Sequence, residues 1–189
     1  QLVAGGASVG SINDLTDALV ENNSVWLGSD PSGTTDTAEQ NVAVGLECMD
    51  AITTADKNVA IGYQAADALT TGAMSVIIGH NAGGAITTGG AIIAIGRDAL
   101  KSQTTNSYNF AIGSDALSLS TTGATNTAIG TYAMSNADVT GNNNVGIGYS
   151  ALLDLTSGTS NVNIGKQSGE NITTGNQNTA VGSPTLGTL

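Results

Sequence analysis

The sequence predicts an all-β fold, a parallel β-solenoid (a β-roll or β-helix) of about ten 17-residue coils with a short helix at its start. Three observations predict it. One glycine recurs at Gly28, Gly45, Gly62, Gly79, Gly96, Gly113, Gly130, Gly148, Gly165 and Gly182, with every interval 17 residues except the 18 between Gly130 and Gly148. Each glycine closes a short word of strand-like alternation. The composition is also wrong for a bulky globular core, with 26 Gly, one Phe, one Trp and 10% charged residues against roughly 25% in an average domain.

The words justify the strands. They read NVAVG at 41–45, NVAIG at 58–62, SVIIG at 75–79, IIAIG at 92–96, NFAIG at 109–113 and NTAIG at 126–130. NVGIG, NVNIG and NTAVG follow at 144–148, 161–165 and 178–182, and SVWLG at 24–28 is a degenerate first copy. Period two places Val42 and Val44, or Val59 and Ile61, on one face and Ala43 or Ala60 on the other. The branched face is expected to point into the solenoid, with the alanines against a neighbouring chain. On that assignment Ile95→Asp would bury an unpaired carboxylate and disrupt its coil. The glycine is expected at a corner that needs positive φ or tight backbone packing.

The rest of each coil is patterned too. A small residue stands three past the glycine, from Cys48 and Ala65 to Ala151 and Ser168. A turn of the Thr-Thr-Gly type follows at 70–72, 87–89, 121–123 and 173–175, with Thr156-Ser157-Gly158 as a variant. The extra residue of the 18-residue coil is expected in the turn at 139–143, where insertion costs little. Stacking at 4.7–4.9 Å per coil gives a rod of roughly 40–45 Å. Residues 1–23 stand apart from the array at 24–189. Ile12, Leu15 and Leu19 fall at helical spacing behind Ser11 or Asn13, so a short helix is expected over 11–22, as a bundle element or an end cap. Gln1 rather than Met begins the chain with no secretory signal, as expected of a processed chain or a segment of something longer.

Charge and cysteine content exclude several roles. A net charge of −11, with Lys57, Arg97, Lys101 and Lys166 as the only strong bases, argues against nucleic acid and against an anionic membrane surface. No apolar run reaches the roughly 20 residues that span a bilayer. Cys48 is alone, so no intrachain disulfide exists. Asp98 over Asp115 and Asp50 over Asp67 are the only arrangement suggesting Ca²⁺, and without an Asp-rich loop a solvated acidic face is the simpler reading. The glycine pairs at 83–84 and 89–90 lack the lysine and helix of a phosphate loop. With one histidine and one cysteine a zinc site is not expected. No catalytic group and no cofactor are expected.

The residue after each repeat glycine varies freely, and Tyr63, His80, Arg97, Tyr149 and Lys166 form the candidate row for contact with a cell-surface glycan or receptor. The N-[VT]-A-[IV]-G word followed by an alanine and a turn resembles the repeat regions of marine phage tail-fibre proteins. It is also similar to the head repeats of trimeric autotransporter adhesins. The resemblance covers about residues 24–189 and rests most on the Thr-Thr-Gly turn and the coil length. It implies a homotrimeric shaft or receptor-contacting fibre on a virion or cell surface, without enzymatic activity. A filament subunit stacking head to tail is the alternative. A glycan-cleaving spike is a distant third, since no convincing carboxylate pair is present.

Overall fold

A computed structural model describes residues 18–28, 31, 34 and 37–184. It is a parallel β-solenoid of about nine turns, and no helix occurs among the described residues. Strands β1 (Ala18–Glu21) and β2 (Ser24–Leu27) precede nine three-residue strands, β3 (Val42–Val44), β4 (Val59–Ile61), β5 (Val76–Ile78), β6 (Ile93–Ile95), β7 (Phe110–Ile112), β8 (Thr127–Ile129), β9 (Val145–Ile147), β10 (Val162–Ile164) and β11 (Thr179–Val181). All eleven form one sheet in sequence order. From β2 onward every pairing is parallel and in register, so Ile61 lies over Val44 and Ile78 over Ile61.

The helix is corrected where it can be seen. Residues 18–21 are a strand, antiparallel to β2, and the turn at Asn22 and Asn23 has φ of 47° and 57°. Two successive residues in the left-handed region make the tight hairpin turn that asparagine tolerates best. The remainder of the helical expectation, 11–17, lies outside the described residues.

The inside–outside assignment is reversed. The strand-centre residues Ala43, Ala60, Ile77, Ala94, Ala111 and Ala128 are fully buried, whereas Val42, Ile61, Phe110 and Ile164 are exposed by 37–41%. Ile95 therefore points away from its coil, and Ile95→Asp buries no carboxylate within the chain. The physical reason is volume. A 17-residue coil encloses little space, and Met49, Leu100, Leu117, Met134 and Leu152, four past the glycine, already fill it together with Ile52, Leu69 and Ile86. A branched residue at every strand centre would overpack it.

In β3 to β11, where the strand centre is larger than alanine, at Ile77 and Asn163, the residue six places on is glycine. Ile77 stands with Gly83, whose added Cβ would lie 3.4 Å from Ile77 Cγ2. Gly146 stands with Leu152, whose Cδ1 would be 3.5 Å from a Cβ at 146. Asn163 stands with Gly169 but finds no hydrogen-bond partner for either amide atom, although it is fully buried. Restoring the common pairing with Asn163→Ala and Gly169→Leu is expected to raise stability by about 1–3 kcal/mol, because an orphaned buried amide is removed and the volume refilled. Other residues at the position of Gly169, such as Leu152 with φ 52°, already adopt its left-handed backbone. Thermal unfolding checks this, and a lower melting temperature for the double variant would contradict it.

The asparagines that open seven of the ten words form a buried ladder whose role sequence reading misses. Asn144 Oδ1 accepts from the backbone N–H and the side chain of Asn161, both at 3.0 Å. Asn144 in turn donates its Nδ2 to Asn126 Oδ1 at 3.1 Å and to the turn carbonyl of Gly158 at 2.9 Å. Each asparagine ties strand start, turn and next coil together, in an interior where unsatisfied groups cost about 1–3 kcal/mol each. Ile92 interrupts the ladder, and the Nδ2 of Asn109 donates to Gln103 Oε1 at 2.6 Å.

The extra residue enters as expected, beside the turn. Thr121 bonds a partner 17 residues on, Asp138, while Ala124 bonds one 18 residues on, Asn142.

Candidate functional site

Among the described residues no group of three or more His, Cys, Asp or Glu side chains could hold a metal ion. No described helix is long and apolar enough to cross a membrane. What the molecule offers is three long outward surfaces.

The first is the outer face of the sheet. Two columns run along it, from Val25, Val42 and Val59 to Val162 and Thr179, and from Leu27, Val44 and Ile61 to Ile164 and Val181. Eighteen of these twenty positions are Val, Ile, Leu or Phe, the other two are Thr127 and Thr179, and none carries a charge. Strand pairing stacks like on like, so the columns form a continuous aliphatic strip. Among the described acidic residues only Glu21, on β1, belongs to a strand.

The second surface is the row after the repeat glycine. Tyr63, His80, Arg97, Tyr149 and Lys166 are all exposed, beside the aliphatic strip. The structure does not make them one cluster. Tyr63 and His80 meet at a tilt with centroids 5.4 Å apart, while Tyr149 meets Tyr132 edge-on at 6.0 Å, four coils away. Tyr132 is a surface aromatic that the one-residue offset from this row concealed. The Glu47 carboxylate hydrogen-bonds the Tyr63 hydroxyl and lies beside it, which holds the phenol above its usual range. Arg97 bonds Asp98, Asp115 and Ser114, so its charge is spent within the molecule. That pairing also takes up the Asp98–Asp115 arrangement considered for Ca²⁺. In the other such pair, burial first, then the charges of Asp50 and Glu47, push the Asp67 carboxyl up. Cys48 is buried, its thiol pushed up to about 12 chiefly by that burial, and is unreactive as a nucleophile.

The repeat glycines are structural. Gly45, Gly62, Gly79, Gly96, Gly113, Gly130, Gly148, Gly165 and Gly182 have φ of 131–139°, and Gly28 has 88°. Those from Gly28 to Gly165 also press their Cα face on the next rung: a Cβ on Gly62 would lie 2.5 Å from the carbonyl oxygen of Gly79.

The third surface is a rank of hydroxyls eight residues before each repeat glycine: Thr37, Thr54, Thr71, Thr88, Thr105, Thr122, Thr140, Ser157 and Thr174. All nine are exposed. The threonine just before is different, since Thr53, Thr70 and Thr156 each donate to the carbonyl of the matching threonine one coil on, at 3.0 Å. In the outer rank only the Thr140 hydroxyl bonds within the chain, a long bond of 3.5 Å to the carbonyl of Thr156, while backbone N–H groups such as those of Thr54 and Thr71 donate to the next coil.

No protein-family model, curated protein or solved structure matches the chain.

Proposed function

We propose that this chain is a structural and adhesive rod, a shaft segment of a phage tail fibre or a surface adhesin. Several copies lie side by side with their aliphatic faces together, and the variable row meets a host surface, including its glycans. Three is the number of copies that the sequence resemblance implies. The reading involves no catalysis and no cofactor, only the outer surface of a repetitive scaffold.

The observation that carries it is the uncharged aliphatic strip along ten consecutive strands. Left in water it would be a large, regular apolar patch of the kind that marks an interaction site. With its flanking rows it measures roughly 20 Å by 45 Å, near the ~800 Å² that each partner contributes to an ordinary specific interface. The absence of acidic side chains from both columns permits close approach on this face. Head-to-tail stacking is less well supported, because the antiparallel strand β1 occupies the outer side of β2, where a further parallel coil would add.

Sedimentation equilibrium tests the reading. The wild-type chain is expected at a whole-number multiple of 18.6 kDa, and Ile95→Asp at or near the single-chain mass. The substituted carboxylate would be desolvated between copies at a cost of several kcal/mol. A wild-type protein that sediments as one chain at tens of micromolar, or an Ile95→Asp variant with unchanged mass, rules it out.

A further inference from the structure

In a repeat array, an outward position with no intramolecular duty is free to drift. The row containing Tyr63, His80 and Arg97 has done so, and so has the one containing Lys57, Met74 and Ala91. The outer hydroxyl rank has not: it is threonine in eight coils and serine in one. The fold does not explain this constancy. At Thr71, the preceding Thr70 supplies the bond to the next coil, at 3.0 Å to the carbonyl of Thr87. The following Gly72 is demanded by backbone contact, since a Cβ there would collide with the carbonyl of Gly89. Thr71 itself is exposed, and while its N–H donates to the carbonyl of Thr87 at 3.2 Å, its hydroxyl bonds nothing within the chain. Ser, Asn, Asp or Lys would serve such a turn as well.

The geometry points to a ligand that is itself a lattice: we propose that the hydroxyl rank binds the surface of ice. Backbone bonds from Thr53 N–H to Thr70 and from Thr70 N–H to Thr87, at 3.0 and 2.9 Å, lock the threonine turns to the rise of the solenoid. That rise is about 4.8 Å, close to an interval at which hexagonal ice repeats its oxygen atoms. One hydroxyl gains almost nothing by exchanging liquid water for ice. Nine held rigidly at one spacing act together, and only a periodic surface can engage them all. Threonine also places a methyl beside each hydroxyl, which restricts neighbouring water without binding it. No ionised residue lies within two positions of Thr71, Thr88, Thr105 or Thr122, and the Asp138 carboxylate that reaches Thr121 from the next coil is engaged by the N–H and hydroxyl of Thr121. A sugar surface would call for aromatic platforms, and none stands within two positions of those four threonines.

The test uses the full chain in ice-affinity partitioning and in measurements of the gap between freezing and melting of a single ice crystal. The wild-type protein is expected to partition into ice, facet the crystal and open a measurable gap. Thr88→Tyr, which places a bulky ring in the middle of the rank, is expected to reduce the gap several-fold. Ser160→Tyr, in a variable outward row, is expected to retain it, and both variants should keep the wild-type circular dichroism. Crystals that grow unfaceted with protein excluded from the ice would overturn the proposal. So would a fully active Thr88→Tyr, or retention on microcrystalline cellulose without partition into ice. None of these outcomes bears on the mass in solution, so the shaft reading stands or falls separately.

Discussion

Ala94→Asp is expected to unfold the middle of the rod. Ala94 is fully buried and sits between Ile77 and Ala111 on the neighbouring strands, in a coil whose interior Leu100 already fills. A carboxylate there has no counter-charge and no room, and the cost is about 4 kcal/mol or more. Because each coil rests only on its neighbours, the damage spreads from β6 into the coils on either side rather than staying at one side chain. Protonation removes the charge, so the buried group titrates above the ordinary carboxylate range and the variant recovers part of its stability as pH falls. Urea unfolding at neutral and acid pH checks both statements. A variant as stable as wild type at neutral pH would place Ala94 outside the core.

Gly96→Ala is the second large effect, expected to cost about 3 kcal/mol. Two independent constraints meet at this residue. Its φ of 133° is one that L side chains rarely adopt, and its Cβ would stand 2.5 Å from the carbonyl oxygen of Gly113. The backbone cannot retreat, because Gly96 N–H donates to Ile78 and Gly113 N–H donates to Ile95, both at 2.8 Å. Gly96→Asn should therefore be no milder than Gly96→Ala. Asparagine eases the left-handed region near φ +57°, which is the geometry of Asp98 two residues on, and not that of Gly96. Equal melting temperatures for wild type and Gly96→Ala would refute the close-packed glycine column.

The period, the strand words and the glycine corner are legible in the sequence because each recurs in every coil, with one 18-residue interval and a degenerate first word as the only departures that matter. The direction of the strand faces is not legible from alternation, which separates Ala60 from Val59 and Ile61 but does not say which looks inward. The missing clue lies outside the words. Met49, Leu100, Leu117, Ile52 and Leu69 recur four and seven residues past the glycine, and once they occupy a narrow interior only alanine fits opposite. The rule that the more apolar face is buried therefore fails within the single chain, as the exposed Val42, Ile61 and Phe110 show. The N-terminal error has a similar origin. Leu19 counts toward a helical spacing, yet it lies in β1, because the Asn22-Asn23 pair carries the stronger, local signal of a hairpin. Left-handed residues such as Glu47, Leu117 and Tyr132 leave no trace in residue type, since the coil imposes their geometry. The candidate row was placed correctly on the surface, but its aromatic pairs and the Arg97 cluster depend on which coils adjoin.

The most direct test of the reversed faces is the far-ultraviolet circular dichroism and thermal unfolding of Ile95→Asp, one residue along from Ala94. An outward Ile95 predicts a retained sheet spectrum and a chain that stays folded after its copies separate. Loss of the sheet signal in that variant at low concentration, where the wild-type single chain keeps it, would put the branched residues back inside the coil and contradict the account.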